Sequence, residues 1–333
     1  CGGGGATSWK DGDDLAGKPW TPQNTLPNVE TLEFQFPFLY LWRRMVPDSG
    51  GAGKFRGGVA GELGITLYDS PSGQISLYTV GMGYEPLQGY GICGGYPSHN
   101  LRLTKKRQTD IHEKIKQGSL PQELGDLEGI LESLPAKCTA ELRETDVLVQ
   151  EWNGGGGYGD PIERQPEMVL EDVVNGLVSP ACARQIYGVV LDKETVTLNQ
   201  KATRAAREKT KRLRLSLASP VKAIQSVVTI SGEQSSVIGL LGEYLELVNA
   251  GNKSSIRCRK CGSELCKAED NFKEFAPMAE YPLTRACPRN SRTKRFVLRE
   301  FYCPGCATML DVEIALKGAP LLHSYRIYPK TSI

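Results

Sequence analysis

Apolar and polar residues alternate through the first half of this chain and fall into helical spacing only after Pro161. Leu32, Phe34 and Phe36 alternate ahead of Pro37, and residues 38–42 are continuously apolar. Residues 31–45 are therefore expected to form a strand entering a core, with Pro37 at a bulge or edge. Short strands are expected at 59–68 and 74–82, and the alternation of residues 138–152 predicts a hairpin turned around Glu144–Asp146. Residues 104–135 read as a polar, helix-tolerant insertion. Beyond Pro161, Val169, Leu170, Val173, Val174 and Leu177 make one apolar stripe behind Pro166. Ser179 followed by Pro180 reads as an N-cap with proline at the first helical position, and Gly188 as a C-terminal stop. A short strand is expected at 189–191, a basic helix at about 199–214, and strand-like runs again over 216–256. The fold class is α+β, with a β-rich, glycine-cornered N-terminal part (1–160), a short helical segment (161–215) and a C-terminal zinc-ribbon-like β module (216–333).

Composition sharpens the boundary. Of 37 glycines, 28 lie in residues 1–159 and 9 in residues 160–333. Residues 1–160 hold 14 Lys and Arg against 20 Asp and Glu, whereas residues 161–333 hold 26 against 18, so an overall charge of +2 conceals two unlike halves. A hydrophobic share of 40% excludes wholesale disorder, and the glycines follow no collagen period. No apolar run reaches the roughly 18–20 residues of a membrane-spanning helix, and no basic-plus-apolar leader opens the chain. The expectation is a soluble cytoplasmic protein. Cys1 in place of Met implies a start inside a longer product or after processing; as an autoprocessing nucleophile it lacks an identifiable activating partner.

Six of the ten cysteines fall between 258 and 306. Cys258-x-x-Cys261 and Cys303-x-x-Cys306 each present two thiolates from one tight knuckle. Two knuckles complete a four-sulfur shell for Zn²⁺, closed and therefore structural. Gly262 and Gly305 suit the knuckle backbone. A redox pair is disfavoured because nothing nearby looks thioredoxin-like, and a catalytic zinc because four thiolates leave no open position. Cys266 and Cys287 can each substitute for a ligand, but read more simply as small core residues.

The glycine-rich loops do not make nucleotide sites. Residues 89–94 (GYGICG) match G-x-G-x-x-G but are followed by Gly-Tyr-Pro-Ser rather than a helix, and Lys54 in GGAGKFR (50–56) is followed by Phe55 where a P-loop needs Ser or Thr. Both are expected to be backbone corners requiring positive φ. The basic helix (Lys201, Arg204, Arg207, Lys209, Lys211, Arg212, Arg214) beside a zinc module raises nucleic-acid binding, but Glu264, Glu269, Asp270 and Glu274 interrupt the module and no aromatic series accompanies the basic residues. A solvated helix face is the simpler reading. His99, His112 and His323 are too dispersed for a metal triad, and no nucleophile–base or carboxylate pair emerges, so no catalytic residue is assigned.

The runs PDSGGAGKFRGG (47–58) and NGGGGYGDPIERQPEMVLEDVVNGLVSPACARQIYGVVLD (153–192) resemble the C-terminal half of the hydantoinase B family, which includes the large subunits of ATP-dependent hydantoinases and of acetone and acetophenone carboxylases. This resemblance covers about residues 1–215. From GEYLELV (242–248) through IRCRKCGSELC (256–266) to VLREFYCPGCATMLDVEI (297–314), the remainder resembles the zinc-bearing gamma subunit of acetone carboxylase. Together they imply part of a multisubunit enzyme that uses ATP to join a ketone and bicarbonate into a β-keto acid. The resemblance places ATP and Mg²⁺ or Mn²⁺ on a hydantoinase A-like partner, and the His and Asp ligands of any catalytic metal in an upstream half of the hydantoinase B-like subunit. It implies a hetero-oligomer, with no nucleic-acid or membrane partner. The alternatives are a cyclic-amide hydrolase of the hydantoinase or oxoprolinase type, and a zinc-ribbon nucleic-acid-binding protein.

Overall fold

A computed structural model describes residues 2–16, 27–81, 89–192, 194–223, 236–251, 253–287, 290 and 293–327. Cys1, the end of the strand expected at 74–82, and part of the 216–256 run lie outside the described residues. In chain order the elements are α1 (Val29–Gln35), β1 (Phe38–Met45), β2 (Gly61–Leu67), β3 (Gln74–Val80), β4 (Arg102–Arg107), α2 (Ile111–Lys116), β5 (Ile130–Ser133), β6 (Lys137–Arg143), β7 (Val147–Glu151), α3 (Pro166–Val174), α4 (Pro180–Gln185), α5 (Gln200–Leu217), β8 (Ser236–Leu241), β9 (Leu245–Ala250), β10 (Lys253–Cys258), β11 (Glu264–Lys267), β12 (Met278–Tyr281), β13 (Phe296–Tyr302) and β14 (Met309–Leu316). Few helices and several antiparallel sheets make the fold mixed, as the hydrophobic pattern requires.

The first strand begins later than expected, because residues 31–35 belong to α1. Asn28 caps that helix by accepting the Thr31 N–H, and Glu30 lies in its first turn. Pro37 then forces Phe36 into an extended conformation (φ −133°, ψ 148°), which ends the helix and starts β1. The alternating Leu32, Phe34 and Phe36 enter no core; Phe34 is 92% exposed.

An antiparallel five-stranded sheet in the order β1-β2-β7-β4-β5 follows, and β3 pairs with β6 in a second sheet. Leu67, Leu103, Leu142 and Leu148 fill the core that Ile75 and Leu77 of β3 help to close. The opposite face buries Leu41, Val147 and Val149 against Ile111 of α2. The turn at 144–146 exists, but the strands on either side do not pair with each other. β6 joins β3 while β7 is claimed by β2 and β4, so the expected hairpin is a crossover between sheets. Within the expected insertion, residues 104–107 (of β4) and 130–133 (β5) are strands of the larger sheet, while its helix-tolerant part holds α2.

Most glycines of the two loops serve close packing rather than positive φ. Among the glycines of 50–58 and 89–95 only Gly94 has positive φ (+86°), and the neighbouring Cys93 shares it (+53°). Segments 2–6, 50–58, 89–96 and 154–159 lie side by side as ribbons, outside any sheet. They are joined by backbone hydrogen bonds such as Gly58 N–H to Gly4 O (2.8 Å), Gly51 N–H to Gly155 O (2.8 Å) and Gly157 N–H to Tyr96 O (3.0 Å). A Cβ on Gly155 would sit 1.7 Å from the Gly4 oxygen, and one on Gly57 would sit 1.9 Å from the Gly155 oxygen. No residue larger than glycine fits these two crossings.

The helical segment starts as its caps dictate. The Ser179 side chain accepts the Cys182 N–H, Pro166 and Pro180 sit at their helix starts, and Gly188 (φ +63°) follows α4. Residues 189–191 form no strand; Leu191 makes only an isolated bridge to Leu198. Val169, Val178, Ala183 and Tyr187 pack on Leu298, Tyr302 and Met309, so helices from the first part and strands from the last share one core. The basic helix α5 is not wholly a solvated face, because Arg214 turns inward and is 5% exposed. The C-terminal region consists of a four-stranded sheet, β11-β10-β9-β8, and a three-stranded one, β12-β13-β14, with Tyr244, Ile256, Phe272 and Phe301 in the core between them. Among the described residues no helix is long and apolar enough to cross a membrane.

Candidate metal centre

Both CxxC pairs occupy turns at strand ends. Cys258 is the last residue of β10, and the chain returns through Cys261 to β11; Cys303 follows β13, and the chain returns through Cys306 to β14. The turns close through Gly262 N–H to Cys258 O (2.8 Å) and Ala307 N–H to Cys303 O (3.0 Å). Gly262 has the expected positive φ (+75°). In the second knuckle that conformation falls to Ala307 (φ +58°), while Gly305 is needed because a Cβ there would meet Ser263 Oγ at 2.0 Å.

The structure brings Cys258, Cys261, Cys303 and Cys306 together, with all four sulfurs within 4.8 Å of one another. Cys258 and Cys306 sulfurs are 3.8 Å apart, and those of Cys261 and Cys303 are 3.4 Å apart. A tetrahedral shell with metal–sulfur bonds of about 2.3 Å has edges of about 3.8 Å, so the separations fit Zn²⁺ or a similar thiolate-preferring cation. Several hydrogen-bond donors face the sulfurs, although the Cys258 thiol, against a lowering bond with Cys303, is pushed up to about 11 by its shared bond with Cys306 and by burial. Amides of Lys260 and Cys261 hydrogen-bond the Cys258 sulfur, and the Thr308 amide bonds that of Cys306. The Ser263 and Thr308 hydroxyls lie 3.2 Å from Cys261 Sγ and Cys306 Sγ. Hydrogen bonds from Cys258 and Cys303 hold the Cys306 thiol far below its ordinary pKa, and the same sharing, with burial, pushes Cys303 well up. Sharing protons among four crowded sulfurs thus lowers the pKa of Cys306 while raising those of Cys258 and Cys303. A dication in their midst would favour the thiolate at all four.

The remaining cysteines stand apart from this cluster. Cys266 is buried in the core beside it, its pKa pushed up to about 12 by burial, and Cys287 donates to Asp48 O (3.2 Å). His99 is buried with Nε2 3.7 Å from Glu151; His112 and His323 do not approach it in a shared cluster.

Polar seams that sequence reasoning missed surround the centre. Asp160, which ends the GGGGYGD run, is fully buried. It accepts from Arg214 Nη1 and Nη2 (2.6 and 2.8 Å), from the Met309 N–H (2.9 Å) and from the Ile162 N–H (3.2 Å). The Tyr244 hydroxyl accepts from the Asp160 N–H (2.9 Å) and donates to Glu163 (2.9 Å), which also pairs with Lys260 between the first two cysteines. Glu243 pairs with Lys54 (2.7 Å) and accepts from Tyr158 (2.9 Å). A fully buried Glu300 accepts from Tyr96 (2.5 Å) and Tyr302. Asp160 stands at an N-cap ahead of Pro161, a visible signal, but its partner 54 residues away is not.

Residues 1–161 match the family model for hydantoinase B/oxoprolinase, and residues 234–328 match that for the acetone carboxylase gamma subunit. The chain joins a hydantoinase B-like stretch to an acetone carboxylase gamma-like one. It is 29% identical over 234 residues to the acetone carboxylase alpha subunit of Xanthobacter autotrophicus, covering 65% of this chain and 30% of that one. It is also 34% identical over 97 residues to the gamma subunit from the same organism, covering 26% of this chain and 55% of that one. A solved nucleotide-free acetone carboxylase superposes with a TM-score of 0.59 at 27% identity, covering 66% of this chain and 31% of that one. The chain therefore spans about 30% of the length of the alpha-type relative.

Proposed function

We propose that this chain is part of a multisubunit, ATP-dependent ketone carboxylase that joins a ketone and bicarbonate into a β-keto acid. Its own contribution would be assembly, with a structural zinc held by Cys258, Cys261, Cys303 and Cys306. The supporting observation is that stretches similar to two different subunits of one enzyme, acetone carboxylase alpha and gamma, occur in a single chain and share a core. On this reading residues 1–215 form a hydantoinase B-like region and residues 216–333 the zinc-binding region. The four-sulfur shell supports a closed, structural centre because it offers no open position for a substrate. Zinc there would cross-link the β10–β11 and β13–β14 turns, while Asp160 and Arg214 tie α5 to the start of β14. ATP, its Mg²⁺ or Mn²⁺, and the upstream half of the large subunit would come from partner chains, in a cytoplasmic hetero-oligomer.

The test is ATP turnover by the complex that co-purifies with this chain. Turnover requiring both bicarbonate and acetone or acetophenone is the expected result. Bicarbonate-independent turnover with a hydantoin or 5-oxoproline would establish instead the cyclic-amide hydrolase that the hydantoinase B/oxoprolinase match also admits.

A further inference from the structure

Beside the cysteine centre, a cavity of about 220 Å³ lies between α5 and the two knuckles. Its lining includes Arg204, Arg207, Lys211 and Lys260 against Asp160, Glu163 and Glu208. The carboxylates are already committed. Asp160 is neutralised by Arg214, which is not part of the lining; Glu163 pairs with Lys260, and Glu208 pairs with Lys211 at 2.8 Å. Arg204 and Arg207 therefore contribute two positive charges with no ion pair among the described residues. Glu167, like Asp160 and Glu163, lies within electrostatic reach of Arg207 without pairing to it.

We propose that this cavity binds a small oxyanion, inorganic phosphate or bicarbonate, between Arg204 and Arg207. Arg207 is already oriented for the task. Its Nε and Nη2 donate to the carbonyls of Tyr187 (3.1 Å) and Arg164 (2.6 Å), which fixes the guanidinium plane and leaves Nη1 without a partner among the described residues. Carbonyl partners hold the group in place without cancelling its charge. Arg207 is half-buried, and that burial depresses its pKa despite the neighbouring carboxylates, so its charge is only partly compensated. An oxyanion would supply that compensation through charge-assisted hydrogen bonds. The volume is below the roughly 300–1,000 Å³ typical of pockets for drug-sized ligands, which suits an ion with a few waters rather than a nucleotide. Lys260 lies between Cys258 and Cys261, and Thr308 lies two residues past Cys306, so the cysteine centre forms one wall.

Calorimetric titration of the full chain at low ionic strength, with inorganic phosphate and separately with bicarbonate, tests this. Saturable binding of either ion is expected, and the ion that binds identifies the ligand. R204A and R207A should each weaken binding by about tenfold or more, the effect of losing one hydrogen bond to a charged group. R212A, an exposed change on the same helix outside the cavity, should leave it unaltered. Because Arg207 also holds two carbonyls, the exposed Arg204 decides the matter if R207A does not fold. Failure of both ions to bind below about 10 mM, or equal weakening by R212A and R204A, would overturn the proposal.

Discussion

Replacing Asp160 with alanine would remove the acceptor for four donors at once: both terminal nitrogens of Arg214, the Met309 amide and the Ile162 amide. The Arg214 guanidinium would be left 5% exposed with, among the described residues, only the Ala307 carbonyl (3.0 Å) as a hydrogen-bond acceptor. Stranding one member of a buried ion pair costs about 3–5 kcal/mol. Arg214→Met removes the charge on the other side, and Asp160 then keeps its two amide donors, so the loss should be smaller, about 1–3 kcal/mol. The double variant should be less destabilised than D160A alone, because no cation is stranded in it. Thermal unfolding of the metal-loaded chain reads these differences directly. At roughly 2 °C per kcal/mol for a protein of this size, D160A should lower Tm by about 6–10 °C. Equal Tm values for D160A and R214M, or a double variant no better than D160A, would refute the reasoning that an uncompensated Arg214 charge is the source of the loss.

Metal analysis of the purified chain should find about one zinc per chain, and Cys303→Ser, at a fully buried ligand position, should reduce it below half an equivalent. Cys266→Ser should leave zinc content unchanged yet destabilise the fold by about 1–2 kcal/mol, because it places a hydroxyl in an apolar core; a loss of zinc would make Cys266 a ligand. Gly155→Ala should abolish soluble expression, since its methyl group would overlap the Gly4 carbonyl. Gly239→Ala, with open space around the new carbon, should change stability by less than about 0.5 kcal/mol in the same denaturation assay.

Local signals in the sequence translated directly into structure. Ser179-Pro180 starts α4, Pro166 starts α3, and the two CxxC pairs turn at strand ends because caps, proline geometry and knuckle turns each depend on a few adjacent residues. What depended on distant partners did not translate. The alternation of residues 138–152 marks two strands correctly, yet nothing in it says that β6 belongs with β3 and β7 with β2. The basic run of α5 looks uniform, while the buried Asp160 draws Arg214 inward and carbonyls draw Arg207. In the glycine-rich loops the spacing suggested corners, whereas the actual demand on Gly155 and Gly57 comes from ribbons far away in the chain. At α1 the error had a local remedy, because Asn28 and Glu30 outweigh three alternating apolar residues whose side chains find no core.

The glycine ribbons also impose an order of events on folding. Residues 2–6 are held by carbonyls and amides from residues 13, 58, 153 and 156, so this segment cannot settle until residues about 150 positions further along have left the ribosome. Backbone hydrogen bonds of such long sequence separation form late and slowly. Until they close, glycine segments with no side chains to bury have little that holds them together. The sheet of β2, β4 and β7, complete once Glu151 has emerged, would then serve as the platform on which they assemble. A nascent chain arrested before residue 154 would present residues 2–6 unprotected, and limited proteolysis of stalled chains would reveal this as early cleavage near Gly2–Ala6.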